Sequence, residues 1–227
     1  MTAGPVVALT GVAHTYGRTE ALRGVSFSAA RGEVVAVTGP SGCGKSTLLH
    51  VSVGLLRPRT GRVELFGVDL QGRDEALLAR VRRRTVGIVM QYGQLVPDLS
   101  LTDNVALPLL LEGRPFADAR HTAESWLARV GLAGCETATP AEISGGQAQR
   151  AAIARALVTT PRLVVADEPV ASLDTRGGDD MMRLLVGHVR TYGATMLLVT
   201  HDNTIAARAD REVRLRDGVV DYQVKLS

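Results

Sequence analysis

Apolar residues along the chain form two kinds of run. Glu33-Val34-Val35-Ala36-Val37-Thr38, Val86–Met90, Arg162–Ala166 and Thr195–Thr200 are short and almost continuously apolar. Strands of this kind are covered on both faces, because a half-exposed strand alternates. Helical patterns lie between them, as at Asp74–Arg83 and Asp179–Tyr192. Strands alternating with helices predict an α/β fold with a largely parallel sheet. The beginning of the chain differs. Val6–Val12, Ala21–Phe27 and Arg62–Phe66 are broken by polar residues and glycine turns, which predicts a small antiparallel β layer. Residues 95–158 carry weak strand signals and read as mostly helix, divided by Pro108, Gly113, Pro115, Gly131, Gly134 and Pro140. The expected organisation is one domain, 1–227. Its α/β core and antiparallel layer come from 1–94 and 159–227, and a helical subdomain is inserted at 95–158.

Composition narrows the class of protein. With 227 residues and 24.1 kDa, the chain fits one domain or two joined subdomains. Hydrophobic residues at 45% and charged residues at 22% are the mix of a globular protein rather than a disordered one. The longest apolar run, Val105 to Leu111, contains Pro108 and is far short of the roughly 18 residues that a spanning helix needs. Residues Met1 to Thr10 have no basic start followed by an apolar core, so no signal peptide is expected. Cys43 and Cys135 are too few for a disulfide framework and suit a reducing compartment. A net charge of +3 is too weak to argue for a nucleic-acid partner. The cluster Arg80, Arg82, Arg83, Arg84 reads as the solvated end of a helix.

Lys45 and Lys225 are the two lysines of the chain, and Lys45 lies in a glycine loop. Gly39-Pro40-Ser41-Gly42-Cys43-Gly44-Lys45-Ser46-Thr47 fits G-x-x-x-x-G-K-[ST], with a strand before it and a helical stretch, Lys45–Leu55, after it. Glycines let the backbone wrap a phosphate with its N–H groups, and the following helix adds free donors and the positive end of its dipole. A lysine ammonium at about 4 Å adds roughly 4 kcal/mol before desolvation costs, at an effective dielectric near 20. Ser46 offers a hydroxyl to Mg²⁺. Cys43 is either a thiol activated by the helix start or a small residue that fills the loop.

Two further elements carry charge or anion-binding geometry. Leu163-Val164-Val165-Ala166-Asp167-Glu168 places two acids at the end of an apolar strand, where successive side chains diverge. Asp167 suits Mg²⁺, and Glu168 suits a base that orients or deprotonates water. Ser144-Gly145-Gly146-Gln147 opens a helical run through Leu157, with Ser144 as N-cap. This is a second anion cradle. Either the protein binds two ligands, or the two cradles close on one nucleotide from opposite sides.

The set Gly39–Thr47, Gln91, Ser144–Gln147, Leu163–Glu168, Leu173-Asp174 and His201 resembles the ATP-binding cassette ATPases in order and spacing over essentially the whole chain. The resemblance implies a P-loop NTPase (RecA-like) core that binds and hydrolyses ATP with Mg²⁺. It implies a dimer in which each ATP lies between the glycine loop of one copy and the Ser144–Gln147 helix start of the other. Tyr16, in His14-Thr15-Tyr16-Gly17, then resembles the aromatic that stacks on adenine. Gln91 resembles the residue that meets Mg²⁺ and the attacking water, Asp174 the residue that links the two sites, and His201 the contact to the γ-phosphate. Ile143 and Val170 depart from the usual leucine and threonine or serine, and neither removes a group that handles phosphate. The apolar stretch from Gln91 to Leu110 would receive a short helix of a separate integral membrane permease. That places the chain on the cytoplasmic face of the cell membrane as a peripheral subunit. Asn104-Val105-Ala106-Leu107-Pro108-Leu109 resembles the lipoprotein-release, macrolide-export and antimicrobial-peptide-export branch, which points to an exporter or mechanotransmission system. A cell-division-type cassette that signals without carrying a solute is the alternative. A cassette of DNA repair or translation is a third reading, but the coiled coils, zinc insertions or second cassette usual there are absent from this sequence.

Overall fold

The computed structural model describes residues 4–226. Positions 1–3 and 227 of the expected domain lie outside the described residues. In chain order the elements are β1 (Val7–Tyr16), β2 (Thr19–Ala29), β3 (Val34–Thr38), α1 (Lys45–Ser52), β4 (Thr60–Leu65), β5 (Val68–Asp69) and α2 (Glu75–Thr85). They continue with β6 (Val86–Val89), α3 (Leu101–Leu111), α4 (Phe116–Arg129), α5 (Gly145–Leu157), β7 (Leu163–Asp167), α6 (Thr175–Tyr192), β8 (Thr195–Val199), α7 (Asn203–Ala206), β9 (Arg211–Arg216) and β10 (Val219–Lys225). The chain divides into two compact units, Met1–Arg82 with Gly193–Ser227, and Arg83–Tyr192.

The first unit contains an antiparallel layer in the order β2-β1-β4-β5. Along β1, Val7, Leu9 and Val12 are buried while Thr10 and Gly11 are exposed, the alternation of a one-sided sheet. The register between β1 and β2 shifts between Leu9 and Val12, where Gly11 has φ 59° and its N–H is held by Ser26 Oγ at 3.0 Å. β3 lies between β8 and β9 and pairs in parallel with both. All five of its residues are buried, as are all five of β8. β10 follows as an antiparallel partner of β9. The apolar strands at 33–38 and 195–200 are legible because burial on both faces removes the need for polar positions.

β5, β9, β10 and α7 are additional elements. β9, Arg-Glu-Val-Arg-Leu-Arg, reads as polar, yet Val213 and Leu215 are fully buried. Glu212, Arg214 and Arg216 alternate with the buried Val213 and Leu215, and Arg211 at the start of the strand finds partners of its own. Arg211 Nε lies 2.7 Å from Glu33 Oε1, and its guanidinium stands over the Phe27 ring at 5.8 Å.

In the second unit β6 and β7 pair in parallel, from Val86 opposite Leu163 to Val89 opposite Ala166. The helices expected within 95–158 lie in this unit together with those two strands and α6. α3 starts on Ser100, whose hydroxyl accepts from Asp103 N–H. Pro108 was expected to break the helical stretch, but it lies inside α3, which runs three residues beyond it before closing at Glu112. Pro108 has no N–H to donate to the carbonyl of Asn104, so α3 forgoes one helical hydrogen bond at this point and continues past it. Asn104 is fully buried and organises the preceding loop. Its Oδ1 accepts from Val96 N–H at 2.7 Å, and its Nδ2 donates to Val96 O at 3.0 Å and Leu99 O at 3.1 Å. α6 buries Met181, Met182, Leu185, His188 and Val189 on one face. The arginine cluster is solvated at Arg80 and Arg84, as expected, but three of its members also find partners. Arg82 pairs with Glu75 and donates to Gly54 O at 2.8 Å. Arg83 and Arg84 both grip Glu112, at 2.5 and 2.7 Å, and hold its carboxyl below the usual range. Arg80 stays exposed.

Candidate active site

Candidate residues lie in both units. In the first, β3 ends at Thr38, whose hydroxyl donates to Glu212 Oε1 at 2.5 Å, and the chain enters the glycine loop. Gly44 is the N-cap of α1 with φ 104°, and a Cβ there would lie 2.3 Å from Ala21 O. Gly39 is equally constrained, since its Cβ would stand 2.1 Å from Leu215 O and 2.8 Å from Cys43 Sγ. Only glycine fits these positions. Cys43 is buried, which matches the reading of a small residue that fills the loop.

The start of α1 has no side-chain cap and no acidic residue in its first turn. Its N–H donors and the dipole thus face the loop without internal neutralisation. Lys45 Nζ donates to Gly39 O and Pro40 O, both at 2.8 Å, so the ammonium is held across the mouth of the loop. Ser41, Gly42 and Ser46 are exposed, and Thr47 is buried. This is an anion-binding geometry built from backbone donors and one cation. Tyr16 closes β1, half exposed and edge-on to the His14 ring at 4.8 Å. His201 is exposed just after β8. Beside it Asp202 caps α7 by accepting from Thr204 N–H at 2.7 Å, and these Thr204 hydrogen bonds hold its carboxyl below the usual range.

In the second unit β7 ends on Asp167, which is buried. Glu168 follows with φ 46°, a left-handed conformation unusual outside glycine. Pro169 comes next and is buried. Gln91 is exposed two residues after β6. Ser144 is the N-cap of α5: its Oγ accepts from Gln147 N–H at 3.2 Å, and Gln147 Oε1 accepts from Ser144 N–H at 2.8 Å. This reciprocal box satisfies two of the helix's terminal donors and gives Gln147 a structural role that the sequence reading did not assign. A Cβ on Gly145 would meet nothing within 4 Å, whereas one on Gly146 would stand 3.1 Å from Leu173 Cδ2. The α5 start therefore packs closely beside the segment that carries Asp174. Asp174 in turn caps α6 by accepting from Gly177 N–H at 3.1 Å.

Among the described residues no group of three or more His, Cys, Asp or Glu could hold a metal ion. The candidate ligands Ser46, Gln91 and Asp167 are a hydroxyl, an amide oxygen and one carboxylate. Such hard oxygen donors suit Mg²⁺ bound with substrate phosphates, which needs few protein ligands. Two residues outside the sequence reading also bear on this unit. Gln149 is buried and Arg155 half-buried on α5, and both reach the backbone around Gln91. A single buried glutamine in a helical run has no sequence signal that separates it from a surface one.

The fold and the two sets of residues define a class, and comparison with known proteins agrees. The ABC transporter family model matches residues 22–171, and the chain belongs to that family. It is an ATP-binding, ATP-hydrolysing cassette. Among curated relatives it is 45% identical over 219 residues to the lipoprotein-releasing system ATP-binding protein LolD of Ruegeria pomeroyi, with 94% of this chain and 96% of that protein covered. It is 46% identical over 202 residues to the LolD of Bordetella pertussis, covering 88% and 87%. Among solved structures, the dimeric bacterial ABC transporter cassette MJ0796 matches with a TM-score of 0.94 at 35% identity, over 97% of this chain and 99% of that one. A dimeric post-hydrolysis form of MJ0796, bound to ADP and Pi, matches with a TM-score of 0.93. The expected α/β P-loop fold and ATPase activity accord with these matches.

Proposed function

We propose that this cassette powers a lipoprotein-releasing or closely related membrane system, by hydrolysing ATP at sites that two copies of the chain share. The observation that carries the reading is the glycine loop, with its uncapped α1 start and Lys45 held over two loop carbonyls at 2.8 Å. The high identity to LolD over nearly the full length of both chains supports the choice of system. The dimeric MJ0796 structures support the sharing of sites.

In this reading the loop residues Gly39, Pro40, Ser41, Gly42, Cys43 and Gly44 wrap the phosphates with backbone N–H groups, together with the first turn at Lys45, Ser46 and Thr47. The Lys45 ammonium turns from the loop carbonyls to the β- and γ-phosphates. Tyr16 stacks on adenine. Ser144, Gly145, Gly146 and Gln147 present the start of α5 to the γ-phosphate of the nucleotide held by the other copy, and Asp174 links the two sites. Ser46, Gln91 and Asp167 would hold Mg²⁺, which when bound would offset the negative charge of the phosphates. Glu168 accepts a proton from the attacking water as its oxygen bonds to the γ-phosphorus. The bond to the β-phosphate oxygen breaks, and ADP and phosphate leave. Gln91 orients that water, and His201 steadies the γ-phosphate. Closure and reopening of the dimer would pass through Gln91–Leu110 to an integral membrane permease, so the cassette works peripherally on the cytoplasmic face of the cell membrane. No nucleic acid takes part.

Lys45→Ala is expected to lose ATP binding in an equilibrium titration, while Glu168→Gln binds ATP and accumulates as a dimer by light scattering. ATP turnover at the wild-type rate by the lysine variant would overturn the role of the loop. A glutamate variant that stays monomeric with ATP would overturn the shared site.

A further inference from the structure

Gln149 is 1% exposed, on the second turn of α5. Its Nε2 donates to Met90 O at 3.1 Å and to Pro169 O at 3.0 Å. Both neighbours are carbonyl acceptors, so only the amide nitrogen fits there, and both of its hydrogens are used. Met90 directly precedes Gln91, and Pro169 directly follows Glu168. One nitrogen thus ties together two loops far apart in sequence, each carrying a residue proposed to act on water.

The surroundings point the same way. Farther along α5, Arg155 Nη2 donates to Gly93 O at 2.9 Å and Gln94 O at 3.0 Å. Gly93 is pressed against α5 so closely that a Cβ would lie 3.2 Å from Ala148 O. Gln94 and Glu168 are both non-glycine residues in the left-handed region, with φ 47° and 46°. Such conformations persist when their surroundings over-determine them. Here the carbonyl beside Glu168 is held by Gln149, and that of Gln94 by Arg155. The helix that supplies both grips begins with the Ser144–Gln147 box.

We infer that Gln149 is a positioning residue for hydrolysis, which holds the Gln91 loop and the Glu168 turn in one frame with α5. It touches neither nucleotide nor water. It makes the placement of Gln91 and Glu168 depend on α5, so that a displacement at the Ser144 end reaches both. The inference rests on the roles proposed above for those two residues.

The test uses the full chain with Gln149→Met, which keeps length and removes both donors, and Gln149→Glu, which keeps shape and replaces the donor by an acceptor. Measured for each are cooperative unfolding, ATP binding at equilibrium, kcat and KM, and amide exchange at 92–94 and 170–171. Expected are a folded protein, ATP affinity and KM within about threefold of wild type, kcat lower by about tenfold or more, and faster exchange in both segments. In a Gln91→Ala background the effect of Gln149→Met on kcat should be smaller than in the wild-type background, since one of the two residues it positions is gone and only the Glu168 turn is left to lose its hold. A kcat within about twofold of wild type would overturn the inference. So would equal losses in kcat and ATP binding, or an undiminished effect in the Gln91→Ala background. Should neither variant fold, Gln149 is a folding determinant and the inference falls. If Gln91→Ala and Glu168→Gln each keep wild-type kcat, it is the proposed roles of those residues that fail, and the exchange measurement still reads whether Gln149 holds the two loops.

Discussion

His188 offers a test of packing in the second unit through pH. It is buried on α6 against the Trp126 ring of α4, 5.5 Å away, and the Tyr192 ring, 4.5 Å away. Arg129 stands over the Trp126 ring, 4.0 Å from its centroid. Neither imidazole nitrogen has a hydrogen-bond partner among the described residues. Burial, and secondarily the Arg129 charge, push the histidine down from 6.5 to about 4. Its folded value lies below its unfolded one, so the unfolded chain binds the proton more readily. Stability from this group is therefore complete above pH 6.5, and it is lost as pH falls toward 4. At pH 5 the imidazole is nearly all protonated in the unfolded chain and only about a tenth protonated in the folded one, a loss of about 2 kcal/mol relative to pH 7. His188→Phe keeps an aromatic ring between the two neighbours and removes the proton site. Urea unfolding of both proteins at pH 7.5, 6 and 5, with all other titrating groups in common, should show the wild type losing about 2 kcal/mol more than the variant by pH 5. Parallel losses in the two proteins would refute the claim that packing keeps His188 neutral.

Gly44→Ala should destabilise the chain by about 2 kcal/mol or more and weaken ATP binding, because its Cβ would stand 2.3 Å from Ala21 O at φ 104°. A stable variant with wild-type affinity in a nucleotide titration would contradict that geometry. Asn104→Leu keeps the volume but removes the four hydrogen bonds that Asn104 makes to the Val96–Ser100 loop. The expected cost is about 3 kcal/mol, with faster protease cleavage in that loop. An unchanged urea midpoint would show that the loop is held by other means.

Much of this protein was determined locally, and local determination is what a sequence displays. The strands β3, β6, β7 and β8 announce themselves because burial on both faces demands apolar residues in succession. The glycine loop is legible because a carbonyl stands where a Cβ at Gly39 or Gly44 would go, and no other residue type fits. Ser144 is legible as a cap because its hydroxyl and the Gln147 amide satisfy each other within four residues. Other features depended on partners distant in the chain. β9 hides behind its charges until Arg211 finds Glu33, 178 residues away. Arg82 and Arg83 read as solvated until Gly54 and Glu112 come beside them. Gln149 is one more polar residue in a helix until Met90 and Pro169 turn their carbonyls toward it. A buried donor takes its meaning from acceptors that only the folded chain supplies, so the residues proposed to do chemistry could be picked out in order, while those that hold them in place had to be seen.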